Sequence, residues 1–321
     1  IGKLDKPVCR MGLGTWAIGG GSAWGGDKDE AACIETIQEA PKLGVNLIDK
    51  APGYNFGQSE RIIGKALKGM NREEIILETK FGVVWDREGS LFNKVNGRQL
   101  YWNLSKESVL DEIDKSLERL GVDYVDIYMS HWQSVEPFYT PIGETMEVLN
   151  TLKEKGKIRA IGAANVTPEQ VEEYLKYGDL DIVQAKYSVL DRGVEKELLP
   201  ICKEHGVVLQ AYSPLEMGLL SGALPRDYQP VGAQCNKKWF QPENLPKVFE
   251  YLDQLKPLCE KYNCTPADIN MAWILAQDEK VVLLSGASKV KNIIKNVRCT
   301  EVELSAEDVA LIRDMAEALD K

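Results

Sequence analysis

An α/β chain folded as a (β/α)8 TIM barrel, with long loops after strands three and seven and an extra C-terminal helix, is the architecture this sequence predicts. Three observations predict it. Eight short apolar, β-branched runs recur along the 321 residues, amphipathic stretches separate them, and conspicuous polar residues gather at the ends of the runs. Strands that alternate with helices pair in parallel, because each helix carries the chain back across the sheet. Eight such units fit a closed barrel, although strand count alone also allows an open doubly wound sheet. Neither a Walker loop nor a strand leading into GxGxxG is present.

The runs are RMGLGTW (10–16), VNLIDKA (45–51), IILETKFG (75–82), DYVDIYMSHW (123–132), IRAIGAAN (158–165), DIVQAKYS (181–188), VVLQAYSP (207–214) and VVLLSGAS (281–288). Between the third and fourth runs, residues 105–121 place Val109, Leu110, Ile113, Leu117 and Leu120 on one helical stripe, and Gly121 ends it. Helix starts are legible at Thr167-Pro168-Glu169-Gln170, where Thr caps, Pro suits the first turn and Gln bonds back. The pattern recurs at Thr265 and at Ser305, the latter opening a terminal helix to about residue 319. Residues 83–104, rich in Gly, Asn and Trp, and 216–245, rich in Gly, Pro and Lys, break the rhythm and are expected to be long functional loops, the second closing over a ligand. With no linker, repeat or low-complexity segment, residues 1–321 are expected to form a single domain.

A composition of 44% hydrophobic and 27% charged residues suits a soluble chain with a sizeable core. The net charge of -10 argues against nucleic acid and anionic membranes as partners, since both select basic surfaces, and favours a small-molecule substrate. No apolar run approaches the roughly 18 residues of a membrane span, and IGKLDKPVCRMGLGTW at the start has no secretory apolar region. Seven scattered cysteines fit reduced thiols and a cytoplasmic setting. With two histidines and one close cysteine pair, Cys259 and Cys264, no metal is expected.

Asp49, Tyr54, Lys80 and His131 stand at or just beyond the ends of consecutive strand runs. In a parallel barrel the strands' carboxyl ends share one face, so these four are expected to meet in one active site. The motifs NLIDKAPGYNFGQSERIIGKAL, ETKFG, DYVDIYMSHW, GKIRAIGAANVTPEQ, DIVQAKYS, QAYSPLEMGLLSG, KKWFQPEN and LSGASKVKNIIKNV follow in an order and spacing that resembles the aldo-keto reductases over essentially the whole chain. The resemblance implies reduction of small aldehydes, ketoaldehydes or sugar carbonyls with a nicotinamide cofactor. It places the family's catalytic set on Asp49, Tyr54, Lys80 and His131.

The chemistry asks for those residue types. Carbonyl reduction needs a proton for the developing alkoxide, and a phenol with its ordinary pKa near 10 yields it sluggishly at neutral pH. A cation about 4 Å away at an effective dielectric near 20 contributes about 4 kcal/mol toward a lower pKa. Lys80 is expected to be that cation, with Asp49 approaching it from the side away from the phenol, and His131 to orient the carbonyl. Lys50 departs from the family, which usually carries a small polar residue after the aspartate. Strand alternation aims it away from the interior, toward solvent or a helix. If it bends back it competes with Lys80 for Asp49.

The resemblance further implies a cofactor lying across the barrel mouth. Gly14, Thr15, Trp16, Asp49 and Ala164 line it, Asn165 and Gln184 bind the carboxamide, and Tyr212 stacks on the nicotinamide. Ser213, Pro214, Leu215, Gly218 and Ser221 cradle the pyrophosphate. Gly286, Ser288, Lys289, Asn292 and Asn296 take the adenosine end, with Asn292 replacing the usual Gln and Lys295 the usual Glu. Lys289, Lys291 and Lys295 favour a 2'-phosphate, so NADP(H) is expected in preference to NAD(H). Trp16, Tyr54, Trp85, His131 and Trp132 are the expected substrate contacts, with the loop around Trp239 and Phe240 as a further wall. Two rival readings are a nicotinamide-binding regulatory subunit like the potassium-channel β subunits, which share this fold, and a metal-dependent sugar isomerase on a similar barrel.

Overall fold

The computed structural model describes residues 1, 4 and 6–320. Strands form at β1 (Met11–Gly14), β2 (Leu47–Asp49), β3 (Ile76–Phe81), β4 (Val83–Val84), β5 (Ser90–Val95), β6 (Arg98–Trp102), β7 (Val125–Ser130), β8 (Ile158–Ala164), β9 (Ile182–Lys186), β10 (Val208–Tyr212) and β11 (Val281–Gly286). Eight of them close into a parallel barrel in the order β1-β11-β10-β9-β8-β7-β3-β2. The open doubly wound alternative is thereby excluded.

Period-two alternation sorts the strand residues into two shells. Leu47, Ile76, Ile127, Met129, Ala160, Ile182, Val282 and Leu284 fill the barrel interior. Their neighbours Ile48, Leu77, Tyr128, Ile161 and Val183 face the surrounding helices. The helix Lys106–Leu120 docks on that outer shell through Val109, Ile113, Leu117 and Leu120, and ends where Gly121 turns left-handed at φ 67 and donates to Leu117 O. The expected caps are present: Thr167 and Gln170 form a reciprocal capping box, and Ser305 caps Ala306–Glu317.

The stretch after β3 is not the open loop its composition suggests. It is a three-stranded antiparallel sheet, β4-β6-β5, turned at Asn96-Gly97 with φ values of 50 and 77. Asn-Gly between apolar runs is a hairpin turn signal, because both residues accept the positive φ that matches the twist of the strands. Counting Gly, Asn and Trp as loop composition concealed it. The stretch 216–245 carries only short 3-10 turns, and its turn Gly232–Asn236 crosses to the turn Ser22–Trp24 that follows β1. At Gly232, where φ is +55, an added Cβ would lie 2.5 Å from Ala23 O, so the two segments meet backbone to backbone. Trp239 and Phe240, expected as substrate walls, are 4% and 3% exposed and belong to the outer core. Their apolar area is used to anchor the loop. No helix among the described residues is long and apolar enough to cross a membrane.

Candidate active site

Alternation continues past the apolar interior toward the carboxyl ends of the strands. Leu47 is followed inward by Asp49, Ile76 by Glu78 and Lys80, Ile127 and Met129 by His131, Ile182 by Gln184, and Val208 by Gln210 and Tyr212. The polar site thus sits directly on the apolar plug.

Lys80 is fully buried and its Nζ reaches three acceptors: Asp49 Oδ1, Lys50 O at 3.2 Å and the Tyr54 hydroxyl at 3.5 Å. Burial is the largest influence and works against the ammonium, but the acidic neighbours together, Asp49 first among them, outweigh it and hold Lys80 above its ordinary value. Tyr54 is half-buried on a tight turn whose next residues, Asn55 and Phe56, take φ values of 52 and 54. The Asn55 amide nitrogen ties that turn to Gly19 O at 2.9 Å. Left-handed non-glycine residues are costly, and here a side-chain bond fixes the segment carrying the phenol. The phenol itself differs from expectation. Burial raises its pKa and Lys80 opposes that shift without reversing it.

The His131 ring packs edge-on to Tyr54 with centroids 5.8 Å apart. Its backbone N–H donates to Phe81 O at 2.9 Å and its carbonyl accepts from Asn165 Nδ2 at 3.0 Å, fixing the end of β7 against its neighbours. Burial, with Lys80 adding to it, lowers the imidazole to about 3. The ring is neutral at ordinary pH and offers one N–H donor.

Lys50 is also fully buried and feels the charge of Glu60 on the helix Gln58–Leu67, which excludes the solvent-facing alternative. Its Nζ donates to Glu78 O at 3.1 Å, and Asp49 is left to Lys80. Burial pushes Lys50 down to about 7, with Glu60 the largest opposing charge.

The residues implied for a cofactor lie near or beyond the carboxyl ends of β1, β2, β8, β9, β10 and β11. Thr15 is buried, its hydroxyl bonded to Asp49 O and Ser59 Oγ, both at 2.7 Å. Gly14 pairs with Gly286 across β1 and β11. Ala164 O accepts from Gln133 Nε2 at 3.3 Å. The Tyr212 hydroxyl donates to Asn165 Oδ1 at 2.9 Å, which holds its ring at the end of β10. Beyond it, Ser213 and Gly218 take positive φ, Pro214 is buried, Leu215 O accepts from Gly218 and Leu220, and Ser221 Oγ donates to Gly218 O at 2.6 Å. At the last strand, Asn296 Nδ2 donates to Gly286 O at 3.2 Å, Asn292 N to Lys289 O at 2.9 Å, and Ser288 O faces Cys33.

Among the aromatic candidates, Trp16 lies 6.3 Å from Tyr54 between ring centroids, and Trp132 packs on Phe92 and Trp102 at 5.9 and 6.4 Å. Trp85 packs instead on Phe56 at 5.6 Å and lines a neighbouring cavity of about 560 Å³ with Pro52, Arg61, Asp111 and Arg119. Neither contact reaches Tyr54 or His131. Sequence reasoning missed Phe92 and Trp102, which the hairpin brings to Trp132, and it missed Glu78 and Gln210 in the interior. Glu78 was available from period two, since it shares a face with Lys80.

Comparison with known proteins fits this geometry. The sequence profile of the Aldo/keto reductase family matches residues 10–317. The chain is 58% identical over 321 residues, all of its length and 98% of the relative's, to the NADH-specific methylglyoxal reductase of Escherichia coli K12. It is 35% identical over 312 residues, 96% of this chain and 90% of the relative, to the aldo-keto reductase YhdN of Bacillus subtilis. The glycerol dehydrogenase AKR11B4 of Gluconobacter oxydans superposes with a TM-score of 0.88 at 31% identity, covering 99% of this chain and 94% of its own.

These relatives correct one expectation and disfavour another. A relative named NADH-specific at 58% identity contradicts the inferred preference for NADP(H) over NAD(H). The physical reason is visible as well: Lys289, Lys291 and Lys295 are solvent-exposed, where water and salt screen their charge and lysine is common. Names of reductases and a dehydrogenase do not favour the regulatory-subunit reading. The chain is an oxidoreductase and belongs to the aldo/keto reductase family.

Proposed function

We propose that this protein reduces the carbonyl of small ketoaldehydes such as methylglyoxal with NADH, Tyr54 giving the proton. The observation that carries the reading is the placement of Lys80 between Asp49 and the Tyr54 hydroxyl at the barrel mouth. A unit charge 3.5 Å from the phenol at an effective dielectric near 20 contributes about 5 kcal/mol toward its acidity, before the opposing field of Asp49. Burial of the phenolate acts the other way and is the larger effect, which is why an ammonium is needed there at all.

The neutral His131 ring donates its N–H to the substrate oxygen, orienting the carbonyl and stabilising the charge that develops on it. Trp16 and Trp132 supply apolar walls that exclude water around a small carbonyl. The residues present fit a nicotinamide cofactor, because a tethered aromatic, Tyr212, is held by its hydroxyl on the amide of Asn165, and Gln184 lies on the neighbouring strand. Tyr212 would stack on the ring, the two amides would meet the carboxamide, the backbone of 213–221 would hold the pyrophosphate, and 286–296 the adenosine. When bound, NADH supplies the hydride.

The test is turnover of methylglyoxal by Tyr54→Phe, followed as NADH oxidation. A positioned proton donor is worth about 10²- to 10⁴-fold, so kcat is expected to fall by that factor while NADH still quenches tryptophan fluorescence. Wild-type turnover in the variant would assign the proton elsewhere. Replacing NADH by NADPH should slow the wild type.

A further inference from the structure

Beneath the Tyr54–Lys80–Asp49 group the polar layer continues through Glu78 and Gln210, two buried side chains to which the reaction as described gives no part. Asp49 and Glu78 are register partners on β2 and β3, Gln184 and Gln210 on β9 and β10, and all four point inward. Glu78 and Gln210 are fully buried. The Gln184 Nε2 atom is 3.2 Å from Asp49 Oδ1, 2.9 Å from Glu78 Oε1 and 2.6 Å from Gln210 Oε1. Gln210 Nε2 donates to Glu78 Oε2 at 3.0 Å.

The donors do not suffice. A primary amide nitrogen carries two hydrogens, yet three oxygens crowd Gln184 Nε2. Two buried carboxyl groups sharing one donor nitrogen also repel each other if both are ionised. One further proton on the cluster resolves both problems, and Glu78 is the group to hold it, because Asp49 already faces the Lys80 ammonium. Burial, and next the charge of Asp49, keep the Glu78 carboxyl well above its ordinary value.

We propose that Glu78 is a positioning residue of the reduction: its neutral carboxyl donates to Asp49 under the Lys80 ammonium, and its ionisation weakens the transfer of the Tyr54 proton. The proposal rests on the reading of Tyr54 as proton donor. With Glu78 neutral, the charges of Asp49 and Lys80 cancel and the ammonium keeps one hydrogen for the phenol. With Glu78 ionised, a second negative charge joins the group and makes the phenol a weaker acid, so turnover falls as pH rises through the Glu78 ionisation. The charged or titratable groups that act on Glu78 are Asp49 from β2, Lys80 from its own strand and Tyr54 from the turn above, with Lys50 on the outer face of the sheet holding the Glu78 backbone carbonyl. Apart from the non-titrating amides of Gln184 and Gln210, the other strands contribute apolar side chains such as Ile127, Ala160, Ile182, Val282 and Leu284.

The experiment is the pH profile of kcat for methylglyoxal with NADH, in wild type, Glu78→Gln and Glu78→Ala. Glutamine keeps a donor toward Asp49 and cannot ionise, so the decline that Glu78 ionisation causes in the wild type should vanish or move to higher pH in E78Q. Alanine removes the donor and should turn over about tenfold or more slower than E78Q at neutral pH with NADH binding retained. Should E78A fail to fold, as near-ultraviolet circular dichroism would reveal, the E78Q profile decides alone. Superimposed profiles of E78Q and wild type, or equal rates of folded E78A and E78Q, overturn the proposal. Wild-type turnover by Y54F sinks the proton-donor reading instead. An inactive Y54F with superimposed Glu78 profiles removes the role of Glu78 only.

Discussion

Lys50 and Lys80 lie on neighbouring strand ends, both fully buried, and burial ends differently for each. Lys80 points into the barrel, meets the carboxylate of Asp49 and stays charged above its ordinary pKa. Lys50 points out toward the helices, finds one backbone carbonyl and drops to about 7. Desolvation is common to the two; the difference is a carboxylate in contact. A buried ammonium serves chemistry only on the face where the fold supplies that partner, and on the other face it is a cost to stability.

The largest way to break the comparison is to remove the paired lysine. Lys80→Met keeps the volume, deletes the charge beside Tyr54 and leaves Asp49 buried without its cation. We expect kcat to fall by about 10³-fold or more, near the upper range for losing an acid's activating partner. A stopped-flow trace with less than a tenfold loss would mean that the phenol is activated by something else.

Lys50→Met should act in the opposite direction and on stability. The unfolded chain holds the Lys50 proton up to the ordinary value of 10.5, the folded one only to about 7. Between those values the unfolded state binds more protons, so wild-type stability from this group rises with pH, and the penalty is complete below about 7. Its size is roughly 3 to 5 kcal/mol from the span between the two values. Urea melts at pH 6 should therefore show Lys50→Met more stable, with the gap closing toward pH 10. A variant less stable at pH 6 would show that the ammonium is better solvated than its single hydrogen bond indicates.

The eight barrel strands were legible because each carries a complete local signal, an apolar β-branched run bounded by turn residues or a helix cap. Asp49, Tyr54, Lys80 and His131 were legible because strand ends share a face, which turns sequence order into proximity. The hairpin β4–β6 was hidden by composition, although Asn96-Gly97 announced it. Trp239 and Phe240 misled for a different reason: an aromatic in a loop has the same sequence signature whether it lines a pocket or anchors the loop to the core. Lys50 shows the limit most clearly. Alternation gave its direction, but only the packed helix determines that the outer face there is dry.

The smallest effect reads the same contrast through a third group. His131 owes its low pKa of about 3 to burial first and to the Lys80 charge second, with Asp49 opposing. Its protonated form therefore contributes nothing between pH 5 and 8, and the wild-type rate profile should show no imidazole step in that range. Removing Lys80 cancels one of the two depressing causes and leaves the other. In Lys80→Met the His131 titration should move upward while remaining below the ordinary imidazole value of 6.5, because the ring is still desolvated. Proton NMR can follow this directly, since the chain has only two histidines and His205→Gln removes the other. An unmoved titration would mean that the Lys80 charge is confined to Asp49 and barely felt by its neighbours, and the same result would weaken its claim on Tyr54.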